Sequence, residues 1–284
     1  EGAGVDAKLI RYNRLKRADT TTYALRFAKL EQSIGAEISL PHWRRPQQTL
    51  KLSSSLFRND TDAYNETGGR VGVDLTKRRQ TTAYRTFGVS LDLSQTKEQV
   101  SKNGSVAGRK LNLATLAGLA AYAWDFSDDI LDPKRGWRLE ARAEPTYVAG
   151  DTSVPYLKLA SQGSAYLPFG KQDSTVLAAR LKLGAIVGAS ILDVPASRRF
   201  FSGGGGSVRG YAYQAIGPRL SDNTPQGGIS LVETSFEVRQ KITDRWSGVA
   251  FIDAGAIGTD KTPRREDFRA GAGFGVRYDL GFGP

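Results

Sequence analysis

One arginine of this chain lies in a setting that demands a chemical partner. Residues 199–211 read RFFSGGGGSVRGY, so Arg209 lies between a run of four glycines and Gly210. Glycine permits tight backbone turns, including those with positive φ, so this segment can fold into a confined space. A guanidinium group that such a loop carries away from bulk water needs an anionic partner. The segment therefore predicts an ion pair between Arg209 and a carboxylate elsewhere in the chain.

Two groups of carboxylates have a spacing that could support acid–base chemistry. Within each group the residues alternate along a predicted strand, which places them on one face together with interleaved arginines. Such cations favour ion-pair ladders on a wet face, and no nucleophile, base and orienting residue form a set. We therefore predict no catalytic residues and no enzyme activity. The groups are Glu233 and Glu237 with Arg239, and Glu140 and Glu144 with Arg138 and Arg142.

Nucleotide and metal sites are also disfavoured. The four glycines could cradle a phosphate, but no Lys-Ser or Lys-Thr pair follows them and no helical pattern begins there. His42 is the only histidine and the chain has no cysteine, so a metal site is not expected. We predict that the protein uses neither a metal nor a cofactor.

The composition narrows the class of protein. The 284 residues carry a net charge of +11, but the basic residues are spread along the chain, which argues against a nucleic-acid partner. No segment approaches the ~20 apolar residues of a transmembrane helix. The sequence begins at Glu1 without a charged-then-apolar leader, so we expect that a signal peptide has been removed. If the chain crosses a membrane, it crosses as strands.

Alternation with period two predicts the elements that must position Arg209 and its partner. In residues 271–280 apolar residues alternate with glycines and charged residues, and in residues 137–147 they alternate with Arg and Glu. Many segments exceed the ~5–6 residues of a soluble strand, and their polar faces carry charges of both signs. Aromatic residues near strand ends, Tyr166 among them, are expected at the membrane interfaces. The predicted fold class is all-β, a transmembrane antiparallel β-barrel.

Thirteen strands follow from this pattern, and residues 190–228 form a connection far longer than the others. A membrane barrel must close so that its backbone groups are paired, and bacterial barrels have an even number of strands. We therefore expect these strands to be part of a larger barrel. Connections above ~15 residues are usually functional or disordered, and this one contains Arg209. The predicted strands are 5–12, 21–31, 33–41, 48–58, 69–78, 83–95, 109–124, 136–148, 154–168, 174–189, 229–240, 246–257 and 269–280.

Four motifs resemble those of the BamA/TamA outer-membrane assembly superfamily, the bacterial surface antigen barrels. Their order and spacing fit the superfamily, and the loop text is most similar to that of TamA, the translocation and assembly module. The motifs are residues 200–213 (FFSGGGGSVRGYAY, the loop-six signature centred on Val208, Arg209, Gly210 and Tyr211), residues 125–136 (DFSDDILDPKRG, the periplasmic turn), residues 251–255 (FIDAG, a Phe-x-Asp-x-Gly strand) and residues 271–277 (the glycine-rich strand that follows).

The resemblance implies a sixteen-stranded barrel preceded by periplasmic POTRA domains. Residues 1–284 would then be a partial barrel, strands 2 to 14 of the family fold, with the POTRA domains, the first strand and the last two strands outside this chain. The implied location is the outer membrane of a Gram-negative bacterium. The implied role is that of a non-catalytic insertase or translocase component that assists the assembly of β-barrel proteins or autotransporters, with the strands at the barrel seam templating incoming strands.

The resemblance also implies partners. These are outer-membrane lipids and lipopolysaccharide, unfolded barrel or autotransporter clients, and an inner-membrane-anchored protein that spans the periplasm. It implies neither a nucleic acid nor a cofactor.

The site residues follow from the same resemblance. In the superfamily the long loop folds back into the barrel and its arginine pairs with the Asp of the Phe-x-Asp-x-Gly strand, so Arg209 is expected to pair with Asp253 and latch the loop. Asp253 shares a strand face with Phe251 and Gly255, and the pleat turns that face towards the lumen. The other expected residues are Gly271, Gly273 and Gly275, which would leave a groove for the loop tip, and Asp125, Asp129, Pro133 and Gly136 of the periplasmic turn.

Two other functions stay open. A two-partner secretion transporter of the same superfamily would pass an unfolded exoprotein through its lumen, and the TamA-like loop text disfavours it. A passive porin would use the long loop to constrict a pore, and the motif at residues 251–255 disfavours it.

Overall fold

The computed structural model describes residues 3–80, 82–102 and 105–280, which form one sheet of thirteen antiparallel strands. Each strand pairs with the next along the chain, and within the described ranges β1 and β13 are the two edges of the sheet. The predicted all-β antiparallel fold and its strand number are confirmed. The strands are β1 (Gly4–Tyr12), β2 (Thr20–Ala28), β3 (Glu31–Leu40), β4 (Gln48–Asp60), β5 (Tyr64–Gln80), β6 (Ala83–Lys102), β7 (Ser105–Asp125), β8 (Gly136–Gly150), β9 (Val154–Phe169), β10 (Thr175–Val187), β11 (Ser230–Lys241), β12 (Trp246–Gly258) and β13 (Arg269–Tyr278).

The pleat separates an apolar outer face from a polar inner face. Ile252 and Phe274 on the outer face are 61% and 92% exposed, whereas Asp253, the neighbour of Ile252, is buried. Outward-facing apolar side chains in this number are stable against lipid, not against water. The sheet therefore curves around a polar interior, which we call the lumen.

Strands β5 to β7 are longer than the sequence pattern predicted. That pattern ends the sixth strand at residue 95 and begins the seventh at residue 109, but the ladder continues to a pair between Lys102 and Ser105. The three strands have 17, 20 and 21 residues, whereas a membrane-spanning strand needs ~9–11. This hairpin extends past the lipid, so both of its faces are polar and the alternation of hydrophobicity stops.

The connections alternate between two ends of the sheet. The loop end carries residues 188–229, which join β10 to β11, and the turn end carries residues 126–135, which join β7 to β8. None of the described helices is long and apolar enough to cross a membrane. The described ranges contain short 3₁₀ turns at Lys171–Asp173, Ala196–Arg198 and Arg265–Asp267.

Residues 188–229 fold back into the lumen, and we call them the inserted loop. Val194 and Phe200 of this loop are buried against the inner faces of β7 to β12. Burial of these side chains makes the loop part of the protein's apolar core, so its position is set by packing as well as by charge. The core also contains Leu111, Leu113, Val148, Val154, Tyr156, Ile186, Ile229, Leu231 and Ile257.

Tyr166 faces the lumen, which corrects its predicted place at a membrane interface. The guanidinium carbons of Arg138 and Arg239 lie 5.9 and 5.8 Å from the centroid of its ring. Its neighbour Leu167 is 59% exposed on the outer face. The ring is therefore held by cation–π attraction inside the barrel.

Candidate functional site

The inserted loop contacts two separate parts of the lumen wall. We call residues 194–200 its root and residues 203–211 its tip. In the tip, the N–H of Gly204 donates to the carbonyl of Tyr211 at 3.0 Å and closes a tight turn. Gly203 and Gly210 have φ values of +110° and +91°, which side chains other than hydrogen disfavour. The glycines therefore allow the turn that presents Arg209 to the wall.

Arg209 and Asp253 are in direct contact. The guanidinium Nε and Nη2 of Arg209 donate to Asp253 Oδ2 and Oδ1 at 2.7 and 2.9 Å. The backbone N–H of Arg209 also donates to Asp253 Oδ2, at 3.0 Å. A forked pair of this kind fixes the orientation of both groups as well as their distance. One carboxylate thus holds the backbone and the side chain of the tip.

Two residues of β11 complete the surroundings of the guanidinium. Nη1 of Arg209 donates to Glu237 Oε2 at 2.7 Å, and Nη2 donates to Ser235 Oγ at 3.2 Å. The sequence placed Glu237 only in an ion-pair ladder and gave Ser235 no role. The register explains both, because Ser235 pairs with Asp253 and Glu237 with Phe251 across β11 and β12. Inward residues that are opposite each other in register share one patch of wall.

Ion pairs and a contact with an aromatic ring together position the Arg209 side chain. Its guanidinium carbon lies 3.5 Å from the centroid of the Phe251 ring. The hydrogen bond to Asp253 raises the pKa of the Arg209 guanidinium above its ordinary value, so the group stays charged. The Arg209 side chain is 30% exposed and that of Asp253 is 1% exposed. Release of the tip would therefore leave a buried carboxylate without its cation.

Among the inward glycines Gly255, Gly271, Gly273 and Gly275, two make room for the tip. A β-carbon at Gly271 would overlap the carbonyl oxygen of Arg209, and one at Gly255 would lie 2.6 Å from Val208 Cγ2. Gly273 instead accommodates the Phe251 ring, and no atom lies within 4 Å of a β-carbon built at Gly275. The groove is thus formed by Gly255 and Gly271.

Other wall residues hold the flanks of the tip. Arg180 of β10 donates to the carbonyl oxygens of Gly206 and Ser207 at 2.9 and 2.7 Å. The hydroxyl of Ser207 donates to Glu233, whose side chain is fully buried. Tyr211 donates its hydroxyl to the carbonyl of Ala270 at 3.0 Å, and Val208 is fully buried.

The expected turn residues form a hydrogen-bonded unit at the turn end. Asp129 Oδ1 accepts bonds from the N–H groups of Asp132 and Leu131 at 2.8 and 2.7 Å. These bonds hold the pKa of the Asp129 carboxyl below its ordinary value. Asp125 Oδ1 accepts a bond from Arg138 Nε at 3.1 Å and so ties the start of the turn to β8.

Gly136 and Pro133 have different roles in this turn. Gly136 has a φ of +93°, and a β-carbon there would overlap the carbonyl oxygen of Phe126, so only glycine fits. The carbonyl of Pro133 accepts a bond from Arg239 Nη1 at 3.1 Å. Because Arg239 lies on the inner face of β11, the turn reaches across the opening of the lumen.

Asp132 links the turn to the patch that holds the tip. Its Oδ1 lies 3.4 Å from Arg239 Nη1 and 3.1 Å from Arg277 Nη1. Arg239 Nε is 2.8 Å from Glu237 Oε1, and the other oxygen of Glu237 binds Arg209. A continuous series of ion pairs therefore runs from the turn end to the loop tip.

The arrangement is that of an ion-pair network. Within the part of the chain that the structure describes, no group of three or more His, Cys, Asp or Glu residues could hold a metal ion. Arg142 and Glu144, from the second predicted ladder, lie 2.9 Å apart. Glu140 has no ion pair among the described residues. The chemistry that these groups can perform is recognition and positioning.

Comparison with known proteins places this architecture in a family. A profile of the Omp85 superfamily domain matches residues 13–284. The crystal structure of BamA from Haemophilus ducreyi lacking POTRA domains 1–3 is similar with a TM-score of 0.84 at 15% sequence identity, over 97% of this chain and 61% of that chain.

Two CdiB structures have related folds. CdiB from Acinetobacter baumannii gives a TM-score of 0.61 at 13% identity, over 98% of this chain and 50% of that chain. CdiB from Escherichia coli gives a TM-score of 0.59 at 15% identity, over 97% of this chain and 53% of that chain. The chain thus spans about half to three fifths of the length of these structures, and at these identities the similarity is one of fold.

Proposed function

This chain belongs to the Omp85 superfamily and is located in the outer membrane of a Gram-negative bacterium, and from this premise we propose that it assists the assembly of other outer-membrane proteins. In this proposal it is the barrel part of a non-catalytic insertase or translocase component. Its clients are unfolded β-barrel proteins or autotransporters. The sequence of the loop at residues 200–213 is most similar to that of TamA, and the assignment to TamA within the superfamily stays a prediction.

The observation that supports this proposal best is the binding of the loop tip inside the lumen. Arg209 meets Asp253 and Glu237 at 2.7 Å each, and Gly255 and Gly271 make the space that the tip occupies. A loop fixed to the wall by a forked ion pair has a defined position. We propose that this pair is a latch that keeps the wall around β11–β13 in its working geometry.

The proposed mechanism is templating at the barrel seam. An incoming strand adds to an exposed strand edge by backbone hydrogen bonds, as in β-augmentation. The working partners in this proposal are the unfolded clients, the surrounding lipids and lipopolysaccharide, and an inner-membrane-anchored protein that spans the periplasm. No cofactor is required, because strand addition needs no covalent chemistry.

Depletion of the protein tests the proposal. We expect the outer-membrane level of autotransporters, measured by quantitative proteomics, to fall on depletion and to recover with the wild-type gene. The variant Arg209→Ala is expected to restore this level only in part. Unchanged autotransporter levels after depletion would contradict the assembly role.

A two-partner secretion transporter of the same superfamily is the second candidate, and the observation behind it is the fold that this chain shares with the two CdiB structures. Pore conductance in planar bilayers and secretion of a large exoprotein encoded by a neighbouring gene would support it. A passive porin would conduct ions but would leave both autotransporter levels and secretion unchanged on depletion.

A further inference from the structure

The acidic partners of the root lie on a different wall from those of the tip. Arg209 of the tip pairs with acids of β11 and β12, whereas Arg198 and Arg199 of the root pair with acids of β5 and β6, and four strands separate β6 from β11 in the sheet. Three carboxylates on the inner faces of β5 and β6 meet the root, and all three are almost completely buried: Glu66, Asp92 and Glu98 are 4%, 2% and 4% exposed. Nothing in the proposed latch at Arg209 uses them.

Glu98 binds the root through backbone and side chain. Its Oε2 accepts the backbone N–H of Ala196 at 2.5 Å and lies 3.7 Å from Arg199 Nη2. Its Oε1 accepts from Arg109 Nε at 2.8 Å, and Arg109 also donates to the carbonyl of Leu192 at 3.3 Å. One carboxylate thus joins the root to the β6–β7 hairpin.

Asp92 and Glu66 bind Arg198, which precedes Arg199 in the root. Arg198 Nη2 lies 2.8 Å from Asp92 Oδ2 and 3.6 Å from Glu66 Oε1. Asp92 is also bound by Arg70 of β5, at 2.7 Å. On the other side of the root, Lys158 of β9 donates to the carbonyl of Arg198 at 2.8 Å. Cations from the loop and from the wall therefore share these acids.

Because the charges at the root are buried, their ion pairs restrict where the root can lie. The side chain of Arg199 is 1% exposed, and its burial lowers the pKa of the guanidinium to about 10. Charges that are removed from water are stable only when they are paired and hydrogen-bonded, and loss of one partner leaves the other uncompensated. Away from its present position, the root would leave Arg198, Arg199 and the N–H of Ala196 without these acidic partners.

We infer that Glu66, Asp92 and Glu98 form a second anchor, which positions the loop root against the β5–β6 wall independently of the Arg209 latch. The inserted loop is then a brace between two walls of the barrel, and its tip can leave Asp253 while the root stays in the lumen. The anchor also gives the extension of β6 a role, because Glu98 lies in that extension and is bound there by Arg109 of β7.

The absence of cysteine from the chain permits a direct test. Single cysteines report on each part: Ser197→Cys for the root, where the Ser197 hydroxyl is buried without a partner among the described residues, and Val208→Cys for the tip, where Val208 is fully buried. The rate of maleimide labelling is measured on the full-length protein in outer-membrane vesicles. Heat-modifiable migration on gels checks that each variant is folded.

The expected pattern is reciprocal. Glu98→Gln should raise labelling at position 197 by about tenfold or more, the scale of a lost hydrogen bond to a charged group, and leave position 208 within about twofold. Arg209→Ala should raise labelling at position 208 by about tenfold or more and leave position 197 within about twofold. The matched control is Glu37→Gln, the same change at an ion pair on β3 (Lys51 Nζ to Glu37 Oε2, 2.8 Å) that does not touch the loop, and it should change neither rate.

A second pair of variants keeps the test decisive if Glu98→Gln does not fold. Arg198→Ala should give the same pattern as Glu98→Gln, and Arg198→Lys should restore slow labelling at position 197. If labelling at 197 stays unchanged in these variants, or if Arg209→Ala exposes both positions together, the independent anchor does not exist. These outcomes concern loop position alone, so they are distinguishable from a failure of the proposed assembly role.

Discussion

The tip and the root of the inserted loop are both held by arginine–carboxylate pairs, but water reaches them differently. At the tip, Arg209 is 30% exposed and binds the almost buried Asp253. At the root, Arg198 and Arg199 are 16% and 1% exposed. A buried charge costs more than an exposed one when its partner is lost, so we expect the pairs of the root to open less readily than those of the tip.

The difference extends to what surrounds the charges. The root packs into the apolar core through Val194 and Phe200, whereas the tip is held mainly by polar contacts with Asp253, Glu237 and Arg180. Loss of the Arg209 side chain therefore removes the tip's ion pairs with Asp253 and Glu237, whereas loss of Arg198 leaves the root its contacts in the apolar core. We expect the tip to be the end that can be released.

Removal of both anchors should have the largest effect. In the double variant Arg209→Ala with Glu98→Gln, each substitution should destabilise the placement of the loop by about 3–5 kcal/mol. The two sites share no partner, so the two free-energy changes should add. Limited proteolysis of outer-membrane vesicles should then cleave throughout residues 188–229. Cleavage no faster than in the more sensitive single variant would contradict two separate anchors.

Arg209→Ala alone should come next. It leaves Asp253 without its cation and should cost loop placement about 3–5 kcal/mol, while barrel folding changes little. Protease should cut residues 203–211 and spare residues 194–200, with unchanged heat-modifiable migration. Arg26→Ala is the control, because the Arg26 pairs with Asp6 and Glu31 are half exposed. Equal cleavage of wild type and Arg209→Ala would contradict the role of Arg209 as a latch.

Gly271→Ala should weaken the tip less than Arg209→Ala. The added methyl group overlaps the carbonyl oxygen of Arg209, and relief of such overpacking typically costs about 1–3 kcal/mol. Gly275→Ala makes the same change four residues away, where no atom lies within 4 Å of the added β-carbon, and it should leave the tip unchanged. Maleimide labelling of Val208→Cys measures both, and equal rates in the two variants would show that the groove does not seat the tip.

Asp132→Asn should have the smallest effect. Asp132 is 35% exposed, and partly exposed ion pairs contribute about 1 kcal/mol or less. Hydrogen exchange of residues 126–135 should rise slightly, and high salt should remove the difference. Asp244→Asn, which removes an exposed pair with Lys241 at a neighbouring turn, is the control. A large gain in tip labelling would instead make the turn a third anchor.

The tip was more predictable from sequence than the root. Strand parity places Asp253 on the inner face, because Phe251, Asp253 and Gly255 alternate with apolar residues. Strand parity did not place Glu98 on an inner face, since its strand was predicted to end at residue 95. Beyond that point the inward positions Thr96 and Glu98 are polar although they are buried. Period-two hydrophobicity cannot find a buried face that is built from polar groups.

The sequence by itself determined the local geometry of this protein. Alternation set the number of strands and the faces of residues wherever apolar and polar side chains alternate, and the glycine run around Arg209 predicted a tight turn with a carboxylate partner. Only the tertiary structure decided which carboxylates meet which part of the loop. Arg198 and Asp92 are 106 residues apart in the chain and 2.8 Å apart in space. Such a contact depends on the curvature of the whole sheet and on the path of the loop across the lumen, and neither is written in any local pattern.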